Sequence, residues 1–390
     1  MRSFDRPFAI TVYGATGFTG RLTAEYLART VGAEVPWAIA GRNRARLDDL
    51  RASLIKINPE CERVGVFEAS SGERPSLTRM AAESEAVLTT VGPYALHGMP
   101  VVDACVSEGA HYADITGEPR FVADVIARFD ARAKERGLRV LNTCGFDSVP
   151  HDLGALYTVG LLPRGQAISV EGFVHGVGAF SGGTWHSAIE TFSKLRSELK
   201  AMRLPRAEGG RSVHLGRPSV RYDADLGAWT VPMPTIDPLV VLRSAAALDV
   251  YGPDFTYSHS AEVRSAVGVA GGALGVAAVL GLAQIPATKR WLLSLRRSGE
   301  GPSEAERARA TFTVTFRGRS GARTVVTRVR GGDGGYTETA KMLAEAGLCL
   351  TVDRDALPRR AGVLTPAVAM GARLTERLQH AGIAFEVLRG

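Results

Sequence analysis

The chain has 390 residues, which is more than a single hydrophobic core usually serves, so two domains are expected. Its apolar fraction of 45% and charged fraction of 22% are those of an ordinary globular protein and exclude global disorder. The net charge of +7 would suit nucleic acid, a membrane surface or an anionic cofactor. Because the basic residues are dispersed and the sequence has no zinc-finger or aromatic RNA-binding motif, nucleic acid is not expected as a partner.

The four cysteines, Cys61, Cys105, Cys144 and Cys349, form no C-x-x-C pair, so neither a metal site nor a redox motif is expected. Few, scattered cysteines in a long chain are typical of a reducing compartment. Residues 1–7 are polar and lack the apolar segment of a signal peptide. These features together predict a cytoplasmic protein.

The first 145 residues alternate between strand-like and helix-like segments. Short apolar runs predict the strands, and apolar residues at helical spacing predict the helices between them. This alternation is typical of an α/β fold with a doubly wound parallel sheet of the Rossmann type, which we assign to residues 1–150. The predicted strands are 8–13, 37–40, 64–67, 86–91, 112–115 and 138–143, and the predicted helices are 19–29, 44–57, 99–108 and 121–136.

A second, α+β domain is predicted for residues 151–390, where the regular alternation ends. Residues 203–240 are rich in Pro and Gly and are predicted to form a long functional loop. Two later segments alternate apolar and polar residues, which predicts an antiparallel strand pair. The predicted strands are 170–174, 311–317 and 324–330, and the predicted helices are 184–202, 336–346 and 366–380.

The strongest local signal is the sequence GATGFTG at residues 14–20, directly after the first predicted strand and at the start of the first helix. Gly14 permits a tight turn, Gly17 lets a pyrophosphate approach the backbone, and Gly20 allows the helix to pack closely on the strand. The helix N-terminus supplies N–H groups and a partial positive charge for phosphates. The loop therefore predicts a dinucleotide site, which also includes Thr16, Phe18 and Thr19.

The second strand leads into Gly41 and Arg42, where NAD-specific domains usually place an acidic residue for the ribose 2′-hydroxyl. An arginine there can instead pair bidentately with the 2′-phosphate of NADP(H), so NADP(H) is the predicted cofactor. Gly92 and Pro93 follow the fourth strand, at the carboxyl edge of the sheet where open α/β sheets bind ligands. They are predicted to border the nicotinamide ribose.

Several motifs occur in the order found in one known family. They are GATGFTG (14–20), VLTTVGPY (87–94), YADITGE (112–118), CGFDSVPHDLG (144–154), SGGT (181–184) and GVLTPAVAMGARL (362–374). With these motifs the sequence resembles the saccharopine-dehydrogenase-like oxidoreductases, and within them the actinobacterial trans-acting enoyl reductases. The resemblance extends over nearly the whole chain.

The resemblance implies a Rossmann domain with an inserted α/β domain that supports substrate binding and dimerisation, so a homodimer is expected. It also implies that the C-terminal segment, with the helix at about 366–380, packs back on the first domain. The enoyl reductases of this family act in trans with polyketide synthases that lack a reductase domain, and they reduce a double bond of an acyl chain destined for a surface lipid. The implied substrate is a small-molecule or carrier-bound acyl group, and the implied partner is such a synthase.

Enoyl reduction needs a hydride on the β-carbon, a proton on the α-carbon and a donor that stabilises the developing enolate. Tyr94 lies just after the fourth predicted strand, and Asp147 lies after the sixth. Thr184 ends the SGGT segment, which precedes a predicted helix whose N–H groups could bind an anionic oxygen. These three residues are the catalytic candidates.

Two other functions stay open. One is an imine or amino-acid reductase like the saccharopine reductases, which would present arginines to substrate carboxylates. The other is a membrane-associated protein that keeps a Rossmann core without catalysis, because a fold does not guarantee a function. The arginines available in the predicted long loop are Arg203, Arg206, Arg211 and Arg217.

Residues 265–285 contain no charged side chain and are followed at 289–297 by four cations beside Trp291 and three leucines. By length alone the apolar segment could span a bilayer, but Ala, Gly and Val dominate it, so its drive to insert is modest. Three interpretations stay open: a membrane span, a buried or dimer-forming hairpin, and an interfacial helix that reaches a lipid-like substrate. The third predicts peripheral membrane contact.

Overall fold

The computed structural model describes residues 4–32, 34–177, 207, 209–233, 235–294 and 301–390. The chain forms two compact units: Met1–Phe146 with Tyr336–Ala381, and Asp147–Gly335 with Gly382–Gly390. The division expected from the sequence placed 151–390 in the second domain, with the helix at about 366–380 packing back on the first, whereas the structure assigns the whole of Tyr336–Ala381 to the first unit. That segment belongs to the first unit because its strand pairs with the first unit's sheet and its long helix packs on that sheet.

The first unit is built around a parallel sheet, which has seven strands among the described residues. Numbered along the whole chain, they are β1 (Phe8–Tyr13), β2 (Trp37–Gly41), β3 (Gly65–Glu68), β4 (Ser84–Thr89), β5 (His111–Asp114), β6 (Arg139–Leu141) and β14 (Gly362–Leu364). Their order in the sheet is β14–β6–β5–β4–β1–β2–β3. Apart from the added edge strand β14, this is the doubly wound order of a Rossmann domain, so the predicted fold class is confirmed.

Helices cover the sheet of the first unit. The helices that follow β3, β4 and β5 pack side by side on the sheet. Their residues Val101 and Val125 are buried in the same core as Val87 and Tyr112 of the strands. Because the central strands are buried, apolar residues follow one another in β2 (WAIAG) and in the middle of β4 (AVL) instead of alternating with polar ones. The helices are α1 (Phe18–Thr30), α2 (Arg44–Ile57), α3 (Arg74–Ala82), α4 (Tyr94–Glu108), α5 (Pro119–Glu135), α11 (Thr337–Thr351), α12 (Pro366–Ala369) and α13 (Gly371–His380).

The second unit contains a mixed sheet, which has eight strands among the residues described. Val314 lies opposite Val329 in an antiparallel pair of long strands, which confirms the pairing predicted for this part of the sequence. The order is β15–β13–β12–β7–β11–β10–β9, and β8 also pairs with β11. The strands are β7 (Ile168–Val177), β8 (Ser212–Leu215), β9 (Arg221–Asp223), β10 (Ala228–Pro232), β11 (Asp254–Val263), β12 (Thr311–Ser320), β13 (Arg323–Gly331) and β15 (Ala384–Arg389).

Two helices pack on this second sheet: α6 (Val149–Val159) on β12 and β13, and α7 (Asp237–Ala247) on β8 and β11. Gly154 lets α6 approach closely, because a Cβ there would lie 2.3 Å from the ring of Phe316. The long loop predicted for 203–240 is wrong in its described part, which holds β8, β9, β10 and the start of α7. Strands β8 and β9 have only four and three residues, SVHL and RYD, which are too short to show a clear alternation of apolar and polar residues. The helix predicted at 184–202 lies outside the described residues.

The apolar segment at 265–285 forms helix α8 (Ala266–Ala283), which is followed by α9 (Pro286–Ser294) and, further on, by the short α10 (Glu304–Arg309). Helices α8 and α9 pack against each other around the buried Ala283 and Leu292. The side chains of Ile285 and Trp291 are each 54% exposed. Within the described part of the chain, none of the helices has the length and apolar character that crossing a bilayer requires.

Candidate functional site

The glycine-rich turn after β1 has a backbone that other residues cannot adopt without strain. Gly14 has a φ of +87°, and a Cβ there would lie 2.6 Å from Val91 Cγ2. A Cβ on Gly20 would lie 2.2 Å from the carbonyl oxygen of Gly14. The turn and the close approach of α1 to it therefore both depend on glycine, as predicted from the spacing.

Gly17 differs from these two glycines, because its side-chain direction is limited by one backbone atom and otherwise faces solvent. It is exposed, and a Cβ there would meet only the Gly14 carbonyl oxygen, at 3.2 Å, among the described atoms within 4 Å. Gly17 is also the N-cap residue of α1, so it brings no side chain to the first turn of the helix. The space beside Gly17 and the N–H groups of that turn fit a dinucleotide pyrophosphate.

The residues between these glycines line the same turn. The carbonyl oxygen of Thr16 accepts a hydrogen bond from Arg46 at 3.3 Å. Phe18 packs edge-on against Tyr336, with ring centroids 5.2 Å apart. Thr19 is half-buried, and its carbonyl oxygen accepts from Thr23 at 2.9 Å. The turn is thus fixed from both sides, and its backbone is available for binding phosphate.

Arg42 lies directly after β2, and its side chain is exposed. Its basic neighbours have other contacts: Arg44 pairs with Asp48 at 3.0 Å, and Arg46 reaches the turn through the Thr16 carbonyl. The end of β2 therefore presents an exposed guanidinium where an NAD-specific domain has an acid. This arrangement fits the 2′-phosphate of NADP(H).

Gly92 and Pro93 follow β4 at the carboxyl edge of the sheet, Gly92 exposed and Pro93 half-buried. Pro93 is the N-cap residue of α4, which begins at Tyr94 and not at Met99 as the sequence indicated. The earlier start is stabilised by Glu118, whose carboxylate accepts from the N–H groups of Tyr94 and Ala95 at 2.9 and 2.8 Å. A carboxylate at a helix N-terminus is favourable because it satisfies free N–H groups and the helix dipole.

Tyr94, one of the predicted catalytic residues, is buried in the first unit. Its side chain is only 5% exposed, and its hydroxyl donates to the carbonyl oxygen of Thr89 at 3.0 Å. Burial, together with the nearby carboxyl of Asp114, raises the pKa of Tyr94 well above its ordinary value. The hydroxyl is bonded to backbone inside the first unit, which favours a structural role, and the catalytic role stays a prediction.

Asp114, at the end of β5, is a residue that sequence reasoning did not single out. Its buried carboxylate accepts from Tyr112 Oη at 2.9 Å, Asn142 Nδ2 at 2.7 Å and the backbone N–H groups of Thr116 and Thr143 at 3.0 Å each. Burial raises its pKa to about 6, although these hydrogen bonds lower it. Asp114 thus ties the ends of β5 and β6 together beneath the carboxyl edge.

The other two predicted catalytic residues have different outcomes. Asp147 belongs to the second unit, where its side chain remains accessible to water. Desolvation by surrounding protein atoms, together with the negative charge of Asp237, raises the pKa of Asp147. Thr184, with the rest of the SGGT segment, lies outside the described residues.

The arginines of the predicted loop do not gather into a carboxylate site among the described residues. Arg211 donates at 2.7–2.9 Å to the carbonyl oxygens of Ala245, Ala246 and Leu248, so it caps the C-terminus of α7. Arg217 is exposed. Arg203 and Arg206 lie outside the described residues.

A doubly wound sheet with a glycine turn at β1 and an arginine after β2 defines an NADP-binding Rossmann domain. The family model for the saccharopine dehydrogenase NADP-binding domain matches residues 10–141. The chain belongs to the saccharopine-dehydrogenase-like oxidoreductases, since relatives at 30–38% identity match it over its whole length. Its cofactor is NADP(H), as predicted from Arg42.

Full-length relatives support this assignment. A Mycobacterium tuberculosis protein (strain H37Rv), named as a candidate trans-acting enoyl reductase, is 38% identical over all of this chain and 99% of its own. A Mycobacterium bovis protein named trans-acting enoyl reductase is 34% identical over 100% of both chains. The human saccharopine dehydrogenase-like oxidoreductase is 30% identical over 100% of this chain and 99% of its own.

Among solved structures, the apo form of a Saccharomyces cerevisiae saccharopine dehydrogenase (L-Glu forming) is similar, with a TM-score of 0.55. The match covers 97% of this chain and 99% of the yeast chain at 12% sequence identity. At that identity the likeness concerns the fold alone.

Proposed function

We propose that the protein is an NADPH-dependent enoyl reductase that acts in trans on a carrier-bound acyl chain in polyketide or lipid biosynthesis. The observation that carries the proposal is the likeness to the two mycobacterial relatives, which covers this whole chain and at least 99% of each of theirs. The cofactor edge of the first unit supports it, since the reaction needs NADPH. The partner in this proposal is a polyketide synthase without a reductase domain of its own.

The residues of the first unit hold the cofactor in this reaction. We assign the turn at residues 14–20 to the pyrophosphate, Arg42 to the 2′-phosphate, and Gly92 with Pro93 to the nicotinamide ribose. When bound, NADPH supplies the hydride for the β-carbon of the substrate. Because Gly17 leaves open space and Arg42 is exposed, both groups can engage the cofactor without rearrangement of the core.

Asp147 is the proposed proton donor. Of the three candidates, Asp147 combines an acidic side chain with access to water, so it can protonate the α-carbon and recover its proton from solvent. Asp147→Asn should lower kcat about 100-fold or more and leave NADPH affinity unchanged, as expected for removal of a general acid. Asp355→Asn changes another exposed aspartate and is the matched control. Thr184 keeps its proposed role as an anchor for the enolate oxygen.

A comparison of substrates tests the proposed function. NADPH oxidation is followed with 2-enoyl thioesters, both free and attached to an acyl carrier protein, and with 2-keto acids plus an amino acid. We expect turnover of the enoyl thioesters, with a lower KM for the carrier-bound form. Turnover of the keto acid and amine pair alone, or of neither class, would contradict the proposal. The imine-reductase alternative is weakened already, because Arg211 caps a helix instead of facing a substrate.

We further propose that the hairpin of α8 and α9 touches an anionic membrane surface, where a lipid-like substrate would be found. Ile285 and Trp291 are exposed beside Lys289 and Arg290, which combines apolar groups with cations. Trp291→Ser should reduce co-sedimentation with vesicles that contain anionic lipid and leave the fold intact. Absence of vesicle binding by the unmodified protein would refute this proposal.

The expected homodimer also stays a prediction, which light scattering on the purified protein checks.

A further inference from the structure

A compact cluster of three ionisable side chains lies in the second unit. His151 comes from the first turn of α6, Asp237 begins α7, and His259 lies in β11. Their exposed fractions are 0%, 0% and 2%. One ligand atom from each residue lies within 4.8 Å of the others. The three elements are separate in sequence, so no local motif could reveal the cluster.

The imidazoles are oriented towards the carboxylate. His151 Nδ1 lies 3.1 Å from Asp237 Oδ1, and His259 Nε2 lies 3.7 Å from Asp237 Oδ2. The other nitrogen of His259, Nδ1, is 3.2 Å from the hydroxyl of the buried Tyr257. This partner fixes the ring so that Nε2 faces the cluster, in the way that outer hydrogen bonds orient histidine ligands of metals.

The surrounding sequence makes room for this arrangement. Gly172 lies on the neighbouring strand, opposite His259. A Cβ on Gly172 would lie 2.4 Å from the Tyr257 hydroxyl and 3.4 Å from His259 Nδ1. Thr235 donates to the second carboxylate oxygen of Asp237 at 2.5 Å. The carboxylate and the His259 ring are thus each held by a further polar group.

We propose that His151, Asp237 and His259 form a binding site for a divalent transition metal, with Zn²⁺ as the first choice. Two imidazoles and one carboxylate are a common set of three protein ligands for zinc. Bonds of about 2.0–2.1 Å in a tetrahedral site separate donor atoms by roughly 3.3–3.4 Å. His151 Nδ1 lies 3.1 Å from one carboxylate oxygen of Asp237, close to that value, and one donor atom from each of the three residues lies within 4.8 Å of the others.

The competing arrangement is an ion pair without metal, in which one imidazole is protonated beside Asp237. A buried carboxylate is costly unless a cation or several hydrogen bonds compensate it. Helices α6 and α7 both begin at the cluster, and their N-terminal dipoles also stabilise a carboxylate. Metal analysis separates the two arrangements, because only one of them contains metal.

The test uses the full-length protein, produced without a polyhistidine tag and purified without chelators. Metal is measured by mass spectrometry after incubation with Zn²⁺ and desalting. We expect about one equivalent per chain in the unmodified protein and less than about 0.2 in His259→Gln. The matched control is His214→Gln, which changes an exposed histidine that lies 3.4 Å from the exposed Asp254, and it should keep its metal.

A second measurement does not depend on the folding of a variant. Co²⁺ added to the unmodified protein should give visible absorption typical of a tetrahedral site, and excess Zn²⁺ should abolish it. Less than about 0.1 equivalent of bound metal with no such absorption, or metal retained in folded His259→Gln, would overturn the proposal. Neither readout uses reductase activity, so this result is independent of the proposed function.

Discussion

The substitution Gly17→Val separates cofactor binding from folding. Gly17 has extended backbone angles, φ −78° and ψ 169°, which a β-branched residue adopts readily. A Cβ there would contact only the Gly14 carbonyl oxygen, at 3.2 Å, within the described surroundings. The methyl groups of Val would instead fill the space that we assign to the pyrophosphate. The variant should therefore fold and fail to bind NADPH.

The two expected effects differ in size. Replacing Gly by Val at an N-cap lowers the free energy of unfolding by up to about 1 kcal/mol. The reduced conformational freedom of the unfolded chain raises it again by about 0.4–1 kcal/mol. The Tm should therefore move by no more than about 4 °C. Losing two hydrogen bonds to phosphate, at about 1.5 kcal/mol or more each, removes about 3 kcal/mol of binding free energy. That corresponds to an increase in the Kd of at least about 100-fold.

Calorimetric titration with NADPH and thermal unfolding of the same samples provide the assay. Gly176→Val is the matched control, because Gly176 is exposed near the end of strand β7 and a Cβ there would have no described heavy atom within 4 Å. The control should keep the unmodified Kd. An unchanged Kd in Gly17→Val would remove the glycine turn from the cofactor site and refute the reasoning.

Three further predictions follow from individual residues. Arg42→Asp should raise the Kd for NADPH about 30-fold or more and leave that for NADH unchanged, as measured by titration. Gly20→Ala should lower the free energy of unfolding by about 1–3 kcal/mol in urea, because its Cβ would lie 2.2 Å from a backbone oxygen, whereas Gly176→Ala should not. Burial raises the pKa of Asp114 to about 6 from 3.8, so the folded state keeps a proton that the unfolded state releases. The contribution of Asp114 to the free energy of unfolding is fully present below pH 3.8. It is lost as the pH rises through 6, by about 3 kcal/mol in total. Urea titrations from pH 4 to 7 should show this loss in the unmodified protein and not in Asp114→Asn.

Local signals in the sequence predicted much of the first unit. The helix expected at 44–57 is found as Arg44–Ile57, because its apolar residues repeat at helical spacing and Asn43 caps it. The strand expected at 8–13 is found as Phe8–Tyr13, because a continuous apolar run ends at a glycine. The positive φ of Gly14 likewise follows from the turn that the GATGFTG sequence requires. Each of these features is determined by neighbours in the chain.

Features that depend on distant residues could not be predicted in this way. Strand β14 has only three residues, and its partner β6 lies more than 200 positions earlier in the chain. The burial of Tyr94 depends on the direction of its side chain at the start of α4, which spacing alone does not give. The cluster of His151, Asp237 and His259 is assembled from two helices and a strand. Tertiary packing decides all three, so one sequence contains no local sign of them.

The order in which the chain passes between the two units has a consequence for biosynthesis. Each unit is assembled from two stretches of sequence: β14 completes the first sheet only at residue 364, and β15 joins the second sheet at Ala384–Arg389. On the ribosome, therefore, neither sheet can be finished until its last strand, β14 or β15, has emerged. A nascent chain that stops before residue 362 leaves the edge of β6 unpaired, which is a surface prone to aggregation. Completion of both sheets is thus a late event in the synthesis of this sequence, governed by the pairing of β14 with β6 and of β15 with β13.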